Sequence, residues 1–117
     1  MTCPTFVAQS LALRTATHIA HLTSRSYAQH VALGDFYDEL SDLTDKYAEI
    51  YMGLEDEVPA FPHVSPPRGT PVTLLEDYLE LVHKELAEDH DSEALKSVLA
   101  EIEELTARTL YKLRTLR

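Results

Sequence analysis

Four residues in this chain have the side chains of a metal site: His18, His30, Asp45 and Glu49. All four lie in the stretch ATHIAHLTSRSYAQHVALGDFYDELSDLTDKYAE, where apolar spacing of three and four predicts a helical hairpin. Imidazole and carboxylate together suit ferrous iron, manganese and zinc. Asp45 and Glu49 stand four apart, so a helix projects them from one face. If that face is buried, it needs a cation or a partner charge to offset desolvation. His21 adds a third imidazole to the same hairpin.

Each signal has a plainer reading beside it. Histidines at a helix–helix boundary often bond to backbone or carboxylates. A stripe carrying Asp38, Asp42, Asp45 and Glu49 is most often a solvated face. Arg14, one turn before His18, is placed to pair with Asp45 or Glu49 and so to replace a metal by an ion pair. Glu80 and His83 show the i, i+3 spacing of di-iron bundles but have no second such motif, so His83 is expected at the surface. His63 and His90 are expected in loops. Cys3 carries no readable chemistry.

These residues need a scaffold, and the chain supplies one domain, residues 1–117, with a single core. Three glycines and no strict apolar–polar alternation argue against an all-β fold. No apolar run reaches the ~20 residues that span a bilayer. MTCPTFVAQSLALR lacks the basic start and long apolar core of a signal peptide. The lone cysteine fits a reducing compartment. A cytoplasmic setting is therefore expected. Charge is uneven along the chain. Residues 1–34 carry Arg14 and Arg25 and no acid, whereas residues 35–57 carry nine acids and one base, Lys46. The net charge of −10 disfavours direct nucleic-acid binding, which rests on phosphate neutralisation. Cations or a basic protein are the better partners.

The first helix is expected to start near Pro4, which is tolerated in a first turn, and to be interrupted at Thr23-Ser24-Arg25-Ser26. Ser24 or Ser26 is the cap of the next helix. The second helix is expected over Tyr27–Met52, with Gly53 as its stop. Leu33, Phe36, Leu40, Leu43, Tyr47 and Ile50 form its core stripe. The acidic stripe lies on roughly the opposite side, where only a second subunit could bury it. Gly34 sits inside the helix at a cost of about 1 kcal/mol relative to alanine, allowing a close contact or leaving room at the site. Tyr27, Tyr37, Tyr47 and Tyr51 are expected at the core edge. Five prolines exclude regular helix over most of residues 54–71. The third helix should begin near Thr70–Thr73, with Thr73 and Glu76 as a capping box. A tight turn at His90-Asp91-Ser92, capped by Asp91 or Ser92, leads into a fourth helix over Glu93–Leu116. Two short connections and one long crossover predict an all-α, up-down-down-up four-helix bundle.

The hairpin resembles the ferritin-like bundles, and within them the Dps-type mini-ferritins. Those proteins have a histidine near the end of the first helix, another early in the second, and an aspartate and glutamate one turn apart later in the second. His18, His30, Asp45 and Glu49 stand at matching separations. The hairpin is also similar to small, mostly phage-encoded ferritin-like proteins with a Glu-x-Tyr-x-Gly ending, here Glu49-Ile50-Tyr51-Met52-Gly53. The resemblance covers roughly residues 10–53. It implies an iron-oxidising site at a two-fold dimer interface, with His18 and His30 from one subunit and Asp45 and Glu49 from the other. It also implies assembly beyond the dimer. Three features depart from the family pattern. Gly34 stands where a further carboxylate is usual. The tryptophan that often follows the first-helix histidine is absent, so His21-Leu22 is an alternative equivalent of that step, with His21 as the ligand. A basic DNA-binding tail is missing.

The sequence therefore points to a ferritin-like homodimer or larger homo-oligomer that binds iron, or zinc or manganese, through His18, His21, His30, Asp45 and Glu49, with ferroxidase-type oxidation as the implied reaction. The alternatives are a metal-free phage-type structural or interaction bundle, in the host cytoplasm or the virion, and an acidic inhibitor of a basic partner.

Overall fold

The computed structural model describes residues 1–88 and 92–116, and among them it contains four helices and no strand. They are α1 (Cys3–Thr23), α2 (Tyr27–Glu55), α3 (Pro71–Ala87) and α4 (Glu93–Thr115). Each begins on a hydroxyl cap: Thr2, Ser26, Thr70 and Ser92 accept from the backbone N–H three residues on. Such a cap satisfies one of the orphan donors at a helix start. Removing one, as in Ser26→Ala, is expected to cost about 1 kcal/mol, read as a lower urea midpoint with unchanged slope.

Three local expectations are corrected. First, α2 runs through Gly53 to Glu55 and ends on Asp56, which takes left-handed geometry (φ 52, ψ 44) and sends its N–H to Met52 O. Aspartate tolerates that conformation because its short side chain can bond locally, so Gly53 is not needed as a stop. Second, the α3 cap is Thr70, followed by Pro71 in the first turn, rather than Thr73 with Glu76. The Glu76 carboxylate instead accepts a hydrogen bond from Arg114 at 2.6 Å. Third, Tyr47 is fully buried, not at the core edge. The expected turn at His90-Asp91 lies outside the described residues, as does Arg117; Ser92 is the cap of α4.

α1 packs against α2 and α3, and α4 packs against the same two, so α1 and α4 lie on one diagonal. Helix directions follow from what the ends touch. The Met1 amino group pairs with Glu88 at 3.1 Å, which places the start of α1 beside the end of α3. The connector over residues 56–70 crosses the bundle. Pro59–Pro62 lie by Thr2–Thr5, and Ser65–Gly69 lie by Ala16–Thr23. The result is up-down-down-up, with the proline-rich crossover running the length of α1.

The core is built from the expected stripes. Leu33 of α2 is fully buried, and Phe36, Leu40 and Tyr47 are fully buried in one cluster with Phe6 and Leu13 of α1, Leu75 and Val82 of α3, and Leu99 and Ile102 of α4. Phe6 packs edge-on to Tyr47 and stacks on Tyr78, joining three helices at one point. Each such side chain contributes roughly 1.5–3 kcal/mol on burial. The ion pairs between helices are at the surface: Lys46–Glu101, His83–Glu103 and Arg114–Glu76. Exposed pairs of this kind contribute little. No helix among the described residues is long and apolar enough to cross a membrane.

Candidate functional site

The α1–α2 seam gathers the histidines. The two helices run antiparallel from the Ser24–Ser26 turn, which is held by Ser26 N–H on Ser24 Oγ and by the Ser24 hydroxyl on Gln29. Just inside this turn the His21 and His30 rings stack with centroids 3.8 Å apart. His21 Nδ1 lies 2.6 Å from His30 O, and His30 Nδ1 lies 2.8 Å from His21 O. A carbonyl oxygen only accepts, so both Nδ1 atoms carry the proton. In the neutral rings each Nε2 then keeps its lone pair. His21 O belongs to the last turn of α1, where carbonyls lack intrahelical donors, so the His30 ring completes that helix end.

Gly34 explains how His21 fits. A Cβ at this position would lie 2.9 Å from His21 Cε1 and 3.0 Å from its Nδ1. The missing side chain is the space the imidazole fills. A glycine inside a helix is costly, and here its cost is offset by the ring pair it admits.

One turn further from the Ser24–Ser26 turn, His18 stacks on Tyr37 with centroids 4.1 Å apart. Tyr37 also meets His21 edge-on at 5.4 Å. The four rings therefore form a continuous half-buried array in the order His30, His21, Tyr37, His18. Another turn on, Arg14 Nε donates to Ser41 Oγ at 2.6 Å, and the Ser41 hydroxyl donates to Tyr37 O. Among the described residues no ion pair joins Arg14 to Asp45 or Glu49, so the expected replacement of a metal by that pair does not occur in one chain.

The carboxylate half is elsewhere. Asp45 and Glu49 are exposed on α2, and neither has an ion-pair partner among the described residues; the neighbouring Lys46 turns to Glu101 instead. Fifteen residues of helix separate His30 from Asp45, about 22 Å along the axis at 1.5 Å per residue. No three His, Cys, Asp or Glu side chains converge on one point among the described residues. One chain thus brings His21, His30 and His18 into one array and leaves Asp45 and Glu49 outside it. His83 pairs with Glu103 at 2.8 Å on the α3–α4 surface, away from the seam.

Ser41 and Gln29 belong to the seam although spacing alone did not single them out, and Tyr37, expected at the core edge, stands between His21 and His18. The visible trace was Gly34: a mid-helix glycine with no turn to make marks a close approach.

At the opposite end of the bundle, Cys3 lies against the buried Tyr47. Burial pushes the Cys3 thiol up to about 11, the Tyr47 contact pulls it down, and the nearby Glu85 and Glu55 charges push it up. Tyr47 is pushed above the ordinary phenol range, first by burial and then by its Cys3 contact. A thiol held neutral in this way is a poor nucleophile.

Comparison with known sequences gives three findings. The model of a family described as "Family of unknown function (DUF5856)" matches residues 21–113. A protein of Enterobacteria phage T4, named "Uncharacterized 14.6 kDa protein in mobD-ri intergenic region", is 40% identical over 50 residues, which cover 41% of this chain and 39% of that protein. No solved structure matches.

Proposed function

The chain belongs to the DUF5856 family of unknown function, and from that premise we propose that it is a ferritin-like bundle that pairs through α1 and α2 and binds a divalent metal, iron first, between two copies. The observation that carries this reading is the pair of Nδ1–carbonyl bonds at His21 and His30. Metal-bound histidines nearly always donate the other ring N–H to such an acceptor, which fixes the ring and presents Nε2. Rings that already meet that condition need only carboxylates.

The donor types fit iron, zinc and manganese. Their separation fits a second copy. An antiparallel pairing of α2 helices about a point between Tyr37 and Asp38 would set His30 opposite Asp45. The acid-free half of one hairpin, with Arg14 and Arg25, would then face the acidic half of the other. His18 on the outer side of the array, or His21 beneath it, would join His30 from one copy, and Asp45 and Glu49 would come from its partner. A bound metal would supply Lewis acidity, and with iron, redox chemistry. Oxidation of ferrous iron by oxygen or peroxide is the reaction such a site would carry, with the iron as substrate. Gly34 stands where the Dps-type mini-ferritins carry a further carboxylate, so the donor set is carboxylate-poor and favours holding a metal over fast turnover.

The test is metal analysis and native mass of protein purified from iron- and zinc-replete cells. A dimer or larger assembly with bound metal is expected, and both His30→Ala and Asp45→Asn should empty it while keeping the helical signal. A metal-free monomer would sink the reading.

A second reading rests on the same stack. His21 and His30 already satisfy one helix end and each other, so the imidazoles have a purely structural use. A phage-type interaction bundle, or an acidic inhibitor of a basic partner, would need no more. Metal-free protein that remains dimeric, or that captures a basic protein only at low salt, would favour it.

A further inference from the structure

We propose that the cavity between α1, α3 and the proline-rich connector binds a small organic amine, with an apolar body and one cationic head. The cavity measures about 240 Å³. An apolar cavity of about 150 Å³ already holds benzene, so an aromatic ring with a short arm fits this one. Leu13, Leu74 and Leu81 form apolar walls, and Pro67 of the connector is part of the roof. Proline fixes its own backbone, so the roof is set before a ligand arrives and little ordering is needed on binding.

The cationic head is read from charge. Asp77 is the sole charged residue on the lining. Among the described residues no lysine or arginine pairs with it, and its neighbour Glu76 takes Arg114. Tyr78 lends the lining its ring, while its hydroxyl is held by Ser10 at 2.7 Å inside the core. The cavity thus offers apolar surface and one free carboxylate. Asp77 is exposed at the mouth, so a neutral ligand gains nothing from its carboxylate, an anion is repelled by it, and an ammonium group is matched. This site does not involve the histidine seam and stands whether or not a metal binds there.

The experiment is an NMR titration of the isotope-labelled full chain with benzylamine, benzyl alcohol and phenylacetate. Saturable shifts confined to the lining are expected with benzylamine. It should bind up to about fivefold more tightly than benzyl alcohol, as for an exposed ion pair, and phenylacetate should be the weakest. Asp77→Asn should reduce benzylamine to the affinity of the alcohol and leave the alcohol unchanged. Ala12→Leu, which fills the cavity, should remove both, with urea unfolding confirming that the variant is folded. Absence of a saturable shift with benzylamine, or an amine preference that survives in Asp77→Asn, overturns the proposal.

Discussion

Gly34→Glu is expected to destabilise the protein by about 3 kcal/mol and to create no metal site. The position is the one where the Dps-type hairpins that the sequence resembles carry a carboxylate, so adding one looks like completing a site. The local packing says otherwise. The first added atom, Cβ, would meet the His21 ring at 2.9 Å. That ring cannot swing aside cheaply, because it is stacked on His30 and bonded to its carbonyl. Overpacking of this kind costs about 1–3 kcal/mol. Losing the two reciprocal hydrogen bonds adds about 1 kcal/mol each, and better helix propensity returns up to about 1 kcal/mol. Gly34→Ala carries the same Cβ and should also destabilise, by about 1 kcal/mol once the helix gain is set against the overpacking. The check is a double-mutant cycle in urea. His21→Ala removes the obstacle, so the glutamate should cost much less in that background, with a coupling above about 1 kcal/mol. A Gly34→Glu protein as stable as the wild type would show that the ring pair is not what the glycine serves.

That prediction also marks where the sequence was readable. The stripe Leu33, Phe36, Leu40 and Tyr47 placed α2 and its buried face, because apolar spacing is set by helix geometry and burial. The prolines between Pro59 and Pro71 placed the crossover, because each excludes regular helix. Ends were harder. Asp56 rather than Gly53 closes α2, since left-handed geometry is open to aspartate as well as glycine. Two hydroxyls three apart, Thr70 and Thr73, competed for the α3 cap, and Pro71 in the first turn was the clue that favours Thr70. At the site the residue types were legible but their pairing was not. That His21 meets His30, and His18 meets Tyr37, depends on how α1 and α2 slide against each other, and spacing within one helix does not contain that register. Asp45 and Glu49 show a further limit. Their exposure in one chain is a fact of the fold, and their use depends on what covers them.

Raising the pH from 8 to 11 is expected to cost the fold on the order of 4 kcal/mol, through groups far from the histidines. Burial pushes Tyr78 above the ordinary phenol value, against a small opposite effect of its Ser10 hydrogen bond. Burial does the same to Tyr47, reinforced by Cys3 and Glu85. Cys3 rises from 9.0 to about 11, again chiefly through burial. Each group holds its proton longer in the folded protein than in the unfolded chain. Below about pH 9 both states are protonated and the stabilising difference is fully present. Above it the unfolded chain releases protons first, binds fewer than the folded protein, and gains stability as pH rises. At one pH unit above the ordinary phenol value, each tyrosine that stays neutral in the fold contributes about 1.4 kcal/mol of this loss. Cys3 adds in the same direction, beginning lower. Urea midpoints at pH 8 and pH 11 measure the sum, and Tyr78→Phe apportions it. That variant leaves the Ser10 hydroxyl without its partner, so it starts less stable at pH 8. It should then lose about 1.4 kcal/mol less than the wild type on going to pH 11. Parallel losses in the two proteins would mean that Tyr78 reaches water and is not locked under Phe6 as its stack implies. The same chemistry sets the rate at which Cys3 meets a disulfide reagent. At pH 8 the native thiol should react about a hundredfold more slowly than in the denatured chain, and the native rate should climb roughly tenfold per pH unit toward 11 as the thiolate appears.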